Sequence, residues 1–187
     1  MNKLTKQLEI KRFLYQKNVG LFGLVETKIK DQDCTRVLNN LGKHWSGVSN
    51  IQWHPGGRIM LIWIAQCFTV TIVKMSDQLI SAKVNEVASG NEFMFTMVYG
   101  SNDEEDRINL WADLKQIKDT WNGPWCICGE FNNLLDFNER IGRPVHWNDI
   151  TDFRDCVDYC EVLDIKAQGA FFTWNNKQES GSRVCWS

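Results

Sequence analysis

A layered α/β fold of the α+β kind, in one domain spanning residues 1–187, follows from three features of the sequence. Apolar runs of strand length cluster in the middle of the chain. Stretches with helical spacing precede and follow them, which suits stacked α/β layers better than repeated βαβ units. No linker, internal repeat or low-complexity segment interrupts that order.

The elements justify this one by one. Residues 4–17, LTKQLEIKRFLYQK, place Leu4 and Leu8 four apart and Ile10, Phe13 and Leu14 at helical spacing, as in a surface helix. VGLFGLVETKI is a short apolar run whose carboxyl end is Glu26-Thr27-Lys28, and it reads as a buried strand. A polar stretch of helical character leads to the turn HPGGR, with Pro55, Gly56 and Gly57. RIMLIWI is nearly continuous and is expected to be buried on both faces. In CFTVTIVK, Phe68, Val70 and Ile72 alternate with threonines, and in LISAKVN, Ile80, Ala82 and Val84 alternate with Ser81 and Lys83. NEFMFTMVYG is another apolar strand, ending in Tyr99-Gly100.

A helix follows, with Asn102 as cap, Glu105 three residues on, and a stripe of Leu110, Trp111, Leu114, Ile117 and Trp121. Strand PWCICG runs directly into Glu130-Phe131-Asn132-Asn133. A long polar loop then reaches a helix carrying Ile150, Phe153, Val157 and Cys160, and LDIKAQGAFFTWNN follows.

Composition narrows the classes of function. Apolar residues make up 43% and charged residues 24%, and nine tryptophans with ten phenylalanines imply a large aromatic core. The net charge of −2 excludes a bulk positive field for nucleic acid, but not a nuclease whose bound metal supplies positive charge locally. The longest apolar stretch, IMLIWIAQCF, is too short to span a bilayer, and the polar start MNKLTKQLEI is unlike a secretory leader. The expectation is a soluble intracellular protein in a reducing compartment, without a membrane partner and with its seven cysteines as free thiols. Cys126 with Cys128, and Cys156 with Cys160, lack zinc-site spacing and read as small buried apolar residues.

Glu26, Tyr99, Glu130 and Asn132 share one kind of place, the carboxyl end of an apolar strand, where ligand sites form in α/β layers. Carboxylates there suit a hard divalent cation, and an Asn and a Tyr hydroxyl suit phosphate oxygens. Together they fit metal-assisted hydrolysis of a phosphate ester. Taken singly, each also reads as an ordinary turn or strand-terminal residue. In the loop after Asn133, Arg140 and Arg143 with His146 and Trp147 offer cations and a ring to a nucleic-acid backbone and base; a solvated loop is the plainer reading.

LVETKI, MVYG, WCICGEFNNLLDFNERIGR and FFTWNN occur in the order of the endonuclease/exonuclease/phosphatase superfamily. PGGRIMLIW, NLWADL and DFRDCVDYCEVLDI extend the resemblance over nearly the whole chain, most closely to the endonuclease domain of plant LINE-type retrotransposons. The resemblance implies a four-layer deoxyribonuclease-I-like sandwich. It also implies a Mg²⁺-dependent endonuclease hydrolysing DNA phosphodiesters, with Mn²⁺ as an alternative, and a reverse transcriptase domain in the parent polyprotein. By position, Glu26 resembles the metal-binding glutamate and Tyr99 the tyrosine that approaches the scissile phosphate. Glu130 and Asn132 resemble the water-orienting acid and the phosphate-contacting Asn of the G-D-F-N step; Thr173 and Trp174 resemble a later T-W step at the substrate.

The family pattern also has an N-x-R-G strand before the point where this sequence starts, and an S-D-H step beyond its end. His44, His54 and His146 match none of its catalytic positions. Glu130 stands where the family has Asp. The expectation is an incomplete domain, lacking the first and the C-terminal strands, with weak or no activity. A non-catalytic nucleic-acid-binding remnant is the alternative, and a phosphatase of small phosphoesters a further one. The sequence carries no signal of oligomeric state.

Overall fold

Alternation of apolar residues fixes the sheets, and two faces of one strand explain the layering. The structure, a computed structural model, describes residues 3–54, 57–165, 174, 175, 177, 185 and 186. The chain forms two compact units, residues 1–100 with 121–130, and residues 101–120 with 131–187.

The first unit contains α1 (Leu4–Lys17), β1 (Leu21–Val25), α2 (Asp31–Leu41), β2 (Trp45–Ser49), β3 (Ile59–Ile64), β4 (Phe68–Met75), β5 (Leu79–Glu86) and β6 (Glu92–Tyr99). The second unit contributes α3 (Glu104–Thr120), after which the chain returns to the first as β7 (Trp125–Glu130). One sheet has the order β1-β3-β2, all antiparallel; the other has the order β4-β5-β6-β7, with β7 parallel to β6. A parallel pair needs a crossover, and α3 supplies it.

β3 is buried on both faces, as its continuous apolar run predicts. Met60 and Ile62 point to one side, into a core with Leu14 of α1 and Val37 and Leu41 of α2. Ile59 and Leu61 point to the other, into a core with Ile80 and Ala82 of β5 and Met97 and Tyr99 of β6. Helices, three-stranded sheet and four-stranded sheet thus form three successive layers in this unit, each fully buried Ile or Leu contributing about 1.5–3 kcal/mol. Gly23 permits the close approach of the sheets, since a Cβ there would lie 2.1 Å from Met97 Sδ. Ser81 is as buried as its apolar neighbours, because its hydroxyl bonds Thr96 Oγ1 at 2.8 Å, and Trp125 Nε1 donates to the same oxygen at 2.9 Å.

Two local expectations need correction, and the buried face of α1 needs an explanation. In α1 the buried residues are Gln7 and Leu14, whereas Leu4, Leu8 and Phe13 are more than half exposed. The cause is polar: Asn40 Nδ2 donates to Gln7 Oε1 at 2.7 Å, so α2 draws the Gln7 face inward. β2 was not expected, its WSGVS being too polar to signal a strand. The cap of α3 is Asp103, whose Oδ1 accepts the Glu105 N–H at 3.0 Å, one residue beyond Asn102.

The second unit holds α3, a 3₁₀ turn (Phe137–Glu139), β8 (Arg140–Ile141), α4 (Trp147–Cys160), β9 (Trp174–Asn175) and β10 (Cys185–Trp186), the strands in the order β8-β10-β9. Leu110, Trp111, Leu114 and Ile117 line the buried side of α3, and Ile150, Phe153, Cys156 and Cys160 that of α4. Cys156 is more buried than the expected Val157. Trp111 stacks on Phe153 at 4.8 Å, Phe131 stacks on the same ring at 4.8 Å, and Cys156 Sγ donates to the Trp111 carbonyl at 3.7 Å. Cys156 and Cys160 therefore act as core residues, with the hydrogen bond to Cys160 and then burial pushing the Cys156 thiol up. Among the described residues, no helix is long and apolar enough to cross a membrane.

Candidate active site

The turn after β1 is where local backbone and function meet. Glu26 has φ +50° and Lys28 φ +49°, left-handed conformations that cost a non-glycine residue on the order of 1 kcal/mol or more. The segment leading into β3 holds them there. Thr27 N–H donates to the Arg58 carbonyl at 3.3 Å, Lys28 N–H to the Gly57 carbonyl at 3.0 Å, and Thr27 Oγ1 to the same Gly57 carbonyl at 2.6 Å. Thr27 is buried, while Glu26 is turned out to solvent at the end of the three-stranded sheet.

Tyr99 ends β6 of the other sheet, and its N–H is anchored on the Gln78 carbonyl at 2.9 Å. Its ring belongs to the core between the sheets, and its hydroxyl donates to Glu26 Oε1 at 2.8 Å. Burial, then the hydrogen bond and charge of Glu26, push the Tyr99 phenol up to about 12. At neutral pH it is a hydrogen-bond donor, not a base. The Arg58 guanidinium carbon lies 5.1 Å from the ring centre, a cation–π contact.

Glu130 is the register partner of Tyr99 on parallel β7, and its carbonyl accepts the Gly100 N–H at 2.7 Å. The preceding Gly129 has φ +136°, and a Cβ there would sit 2.0 Å from the Val98 carbonyl oxygen. Only glycine lets β7 close on β6 at this point and deliver Glu130 beside Tyr99. Partial burial, and then the charge of Glu26, raise the Glu130 carboxyl above its ordinary range. Two carboxylates, a protonated phenol and a guanidinium thus share one end of the two-sheet sandwich.

Glu26, Tyr99 and Glu130 come together as their placement at strand ends predicts. Asn132, two residues on, belongs to the second unit and has φ +52°, a left-handed turn that suits Asn. Arg140 is half-buried in β8 and Arg143 is exposed after it, both in the second unit. In that unit His146 N–H bonds Asp149 Oδ2 at 2.9 Å at the start of α4. Trp147, 60% exposed, stacks on Phe137 at 5.4 Å, with the Arg154 guanidinium 5.7 Å from its ring centre. Thr173 lies outside the described residues, and Trp174 opens β9.

Sequence reasoning missed Arg58 and Asn50. Asn50 is fully buried, and its side chain ties three segments at this end of the unit. Its Nδ2 donates to the carbonyls of Ser76 at 3.1 Å and Asp77 at 2.9 Å, and its Oδ1 accepts the N–H groups of Arg58 at 3.2 Å and Ile59 at 2.9 Å. The only signal in the sequence is a charged residue, Arg58, between two glycines and a continuous apolar run.

Among the described residues, no group of three or more His, Cys, Asp or Glu side chains is placed to hold a metal ion. Glu26 and Glu130 are hard oxygen donors of the kind that a divalent cation takes, and the charge of Glu26 acts on the Glu130 carboxyl.

No protein-family model matches the chain, and no curated protein sequence matches it. Solved structures do. The endonuclease domain of TRAS1, a telomere-specific non-LTR retrotransposon, is similar over 100% of this chain and 79% of its own, with TM-score 0.69 at 9% identity. Beta toxin from Staphylococcus aureus is similar over 92% of this chain and 69% of its own, with TM-score 0.59 at 13% identity. An endonuclease/exonuclease/phosphatase protein from Bacteroides vulgatus is similar over 67% of this chain, with TM-score 0.53 at 16% identity, and this chain spans 57% of its length. The fold laid out above, with polar residues at its strand ends, is the deoxyribonuclease-I-like α/β sandwich of these solved structures.

Proposed function

We propose that residues 1–187 belong to a single endonuclease domain of LINE-type retrotransposon origin that hydrolyses DNA phosphodiesters with Mg²⁺, weakly because Glu130 stands where the resembled family has aspartate. The observation that carries this reading is the Tyr99–Glu26 hydrogen bond at 2.8 Å with Glu130 in register beside it. The similarity in fold to a retrotransposon endonuclease domain supports it.

Each residue then has a task. Glu26, with Glu130 near it, would hold the cation, which when bound supplies positive charge against the charge that builds on phosphorus. Tyr99 stays protonated and turns its O–H from Glu26 to a phosphate oxygen, so the phenol shifts its donor bond from one anion to another. Glu130 accepts a hydrogen bond from the attacking water and orients it toward phosphorus. The extra methylene of Glu130 relative to Asp displaces the accepting oxygen by about 1 Å, enough to cost on the order of 10²-fold in rate.

Nicking of supercoiled plasmid with Mg²⁺ tests the reading. Slow nicking is expected, abolished by EDTA and by Glu26→Ala and accelerated by Glu130→Asp. Glu26→Ala protein that nicks as fast as the parent, or Glu130→Asp protein that does not nick at all, would overturn it. Release of phosphate from small phosphomonoesters without nicking would move the assignment to a phosphatase.

The stacked Phe137–Trp147 pair under Arg154 favours a second reading, a nucleic-acid-binding remnant without catalysis. Salt-dependent DNA binding that Trp147→Ala weakens, with no nicking in any variant, is its signature.

A further inference from the structure

One charged group at the Glu26–Tyr99 pair has no task in the mechanism above. Arg58, the residue before β3, keeps its guanidinium on the Tyr99 ring, 5.1 Å from carbon to ring centre. Its backbone is clamped on both sides, the N–H donating to Asn50 Oδ1 at 3.2 Å and the carbonyl accepting the Thr27 N–H at 3.3 Å. Thr27 is the neighbour of Glu26, so Arg58 and Glu26 share one rigid backbone frame. The side chain is only half-buried, and its charge acts on the Tyr99 phenol in opposition to those of Glu26 and Glu130.

A guanidinium 5.1 Å from the ring centre holds its charge over the phenol, and its planar fork of N–H donors matches the oxygens of a phosphate. A cation–π contact uses the charge but not the N–H donors, which a phosphate would use. The tally of charge argues the same way. A divalent cation held by Glu26 and Glu130 would offset their two negative charges, and the charge of the phosphodiester itself then has no counterpart in the neutral Tyr99 hydroxyl. Arg58 is the cation that faces the same phenol.

Resting on the reading that this site takes a phosphodiester, we propose that Arg58 is its phosphate-holding residue. The guanidinium donates to the non-bridging oxygens of the phosphate that the Tyr99 hydroxyl also meets, and so orients phosphorus over the carboxylates. Arg58 provides binding and alignment, and no proton moves to or from it.

The test separates this inference from the nuclease reading. Binding of a labelled duplex oligonucleotide is measured in EDTA between about 50 and 200 mM salt for the parent, Arg58→Ala and Arg58→Lys, with thermal melting as the check on folding. Arg58→Ala should bind about 10-fold more weakly, with a slope of log K against log salt smaller by about one. Arg58→Lys should restore the slope but not the full affinity, because lysine lacks the two-pronged edge. Where nicking is measurable, Arg58→Ala should raise KM more than it lowers kcat.

Folded Arg58→Ala with the parental affinity and slope overturns the inference and leaves the nuclease reading standing. Arg58-dependent binding in a parent and a Glu130→Asp variant that never nick overturns the nuclease reading and leaves the inference standing. A parent that binds no duplex even at the lowest salt overturns both. If Arg58→Ala melts early, the Arg58→Lys slope decides: parental supports the inference, reduced by one sinks it.

Discussion

Tyr99 Oη donates to Glu26 Oε1 at 2.8 Å, joining the last residue of β6 to the residue after β1, 73 positions apart. The bond spans the open end of two packed sheets, and each partner is set by its own sheet. Glu26 sits in a left-handed turn tied to Gly57 and Arg58, and Tyr99 is the terminal strand residue bonded to Gln78. The relationship therefore reports on the site as a whole and is open to titration.

The Tyr99 phenol is raised to about 12 by burial first and by Glu26 second. Glu26→Gln removes the charge and keeps an acceptor, so the phenol should titrate at lower pH, toward its ordinary value near 10. Ultraviolet difference titration of the three tyrosines, compared with Tyr99→Phe to identify the signal, checks this. A Tyr99 midpoint unmoved by Glu26→Gln would mean that the bond contributes nothing to the phenol.

Glu130 gives a prediction on stability whose sign runs against habit for a carboxylate. Its folded-state pKa is raised by burial and by Glu26, so the folded protein binds its proton more tightly than the unfolded chain does. Stability is then lost as pH rises from the ordinary carboxylate range through the raised value. Glu130→Gln should raise the melting temperature at pH 7, with the gain vanishing below the ordinary carboxylate range, while nicking falls by roughly 10²–10⁴-fold. A variant less stable than the parent at pH 7 would contradict the raised pKa.

Much of this was legible in the sequence because the signals are local. β3, β5 and β6 announce themselves through apolar runs, and the polar residue that ends or follows such a run is a site candidate by position alone, as Glu26, Tyr99 and Glu130 are. What escaped depends on contacts between segments distant in sequence. β2 is a strand because β3 pairs with it, not because WSGVS prefers to be one. The inward face of α1 includes Gln7, which Asn40 bonds, and apolar spacing carries no signal of that. Asn50 bonds backbone carbonyls and N–H groups that any residue could carry, and Arg58 meets Tyr99 of a distant strand, so no local residue pattern marks either.

The two carboxylates also set an expectation for metal. Repulsion between Glu26 and Glu130 is relieved by a divalent cation, so millimolar Mg²⁺ should raise the melting temperature of the parent at pH 7. At a concentration ten times the dissociation constant the gain is about 1.4 kcal/mol. Glu26→Gln removes one donor charge and should abolish most of the gain. Calorimetry with and without Mg²⁺ settles it, and an equal gain in parent and variant would place the cation elsewhere.

Asn50 carries the most demanding structural prediction. It is fully buried, and its four side-chain hydrogen bonds join the turn after β2, the start of β3 and the β4–β5 turn whose Gln78 carbonyl anchors Tyr99. Asn50→Ala leaves two carbonyls and two N–H groups without that partner and should cost about 2–4 kcal/mol. Asn50→Asp is nearly isosteric, yet it sets an oxygen where the amide nitrogen faces the Ser76 and Asp77 carbonyls, and a buried charge beside them. It should therefore destabilise more than the alanine change, reversing the usual order of conservative and drastic substitutions. Urea unfolding of both variants measures this, and the Tyr99 titration midpoint should fall with them as the phenol gains water. Two variants within about 0.5 kcal/mol of the parent would show that the three segments hold their places without Asn50.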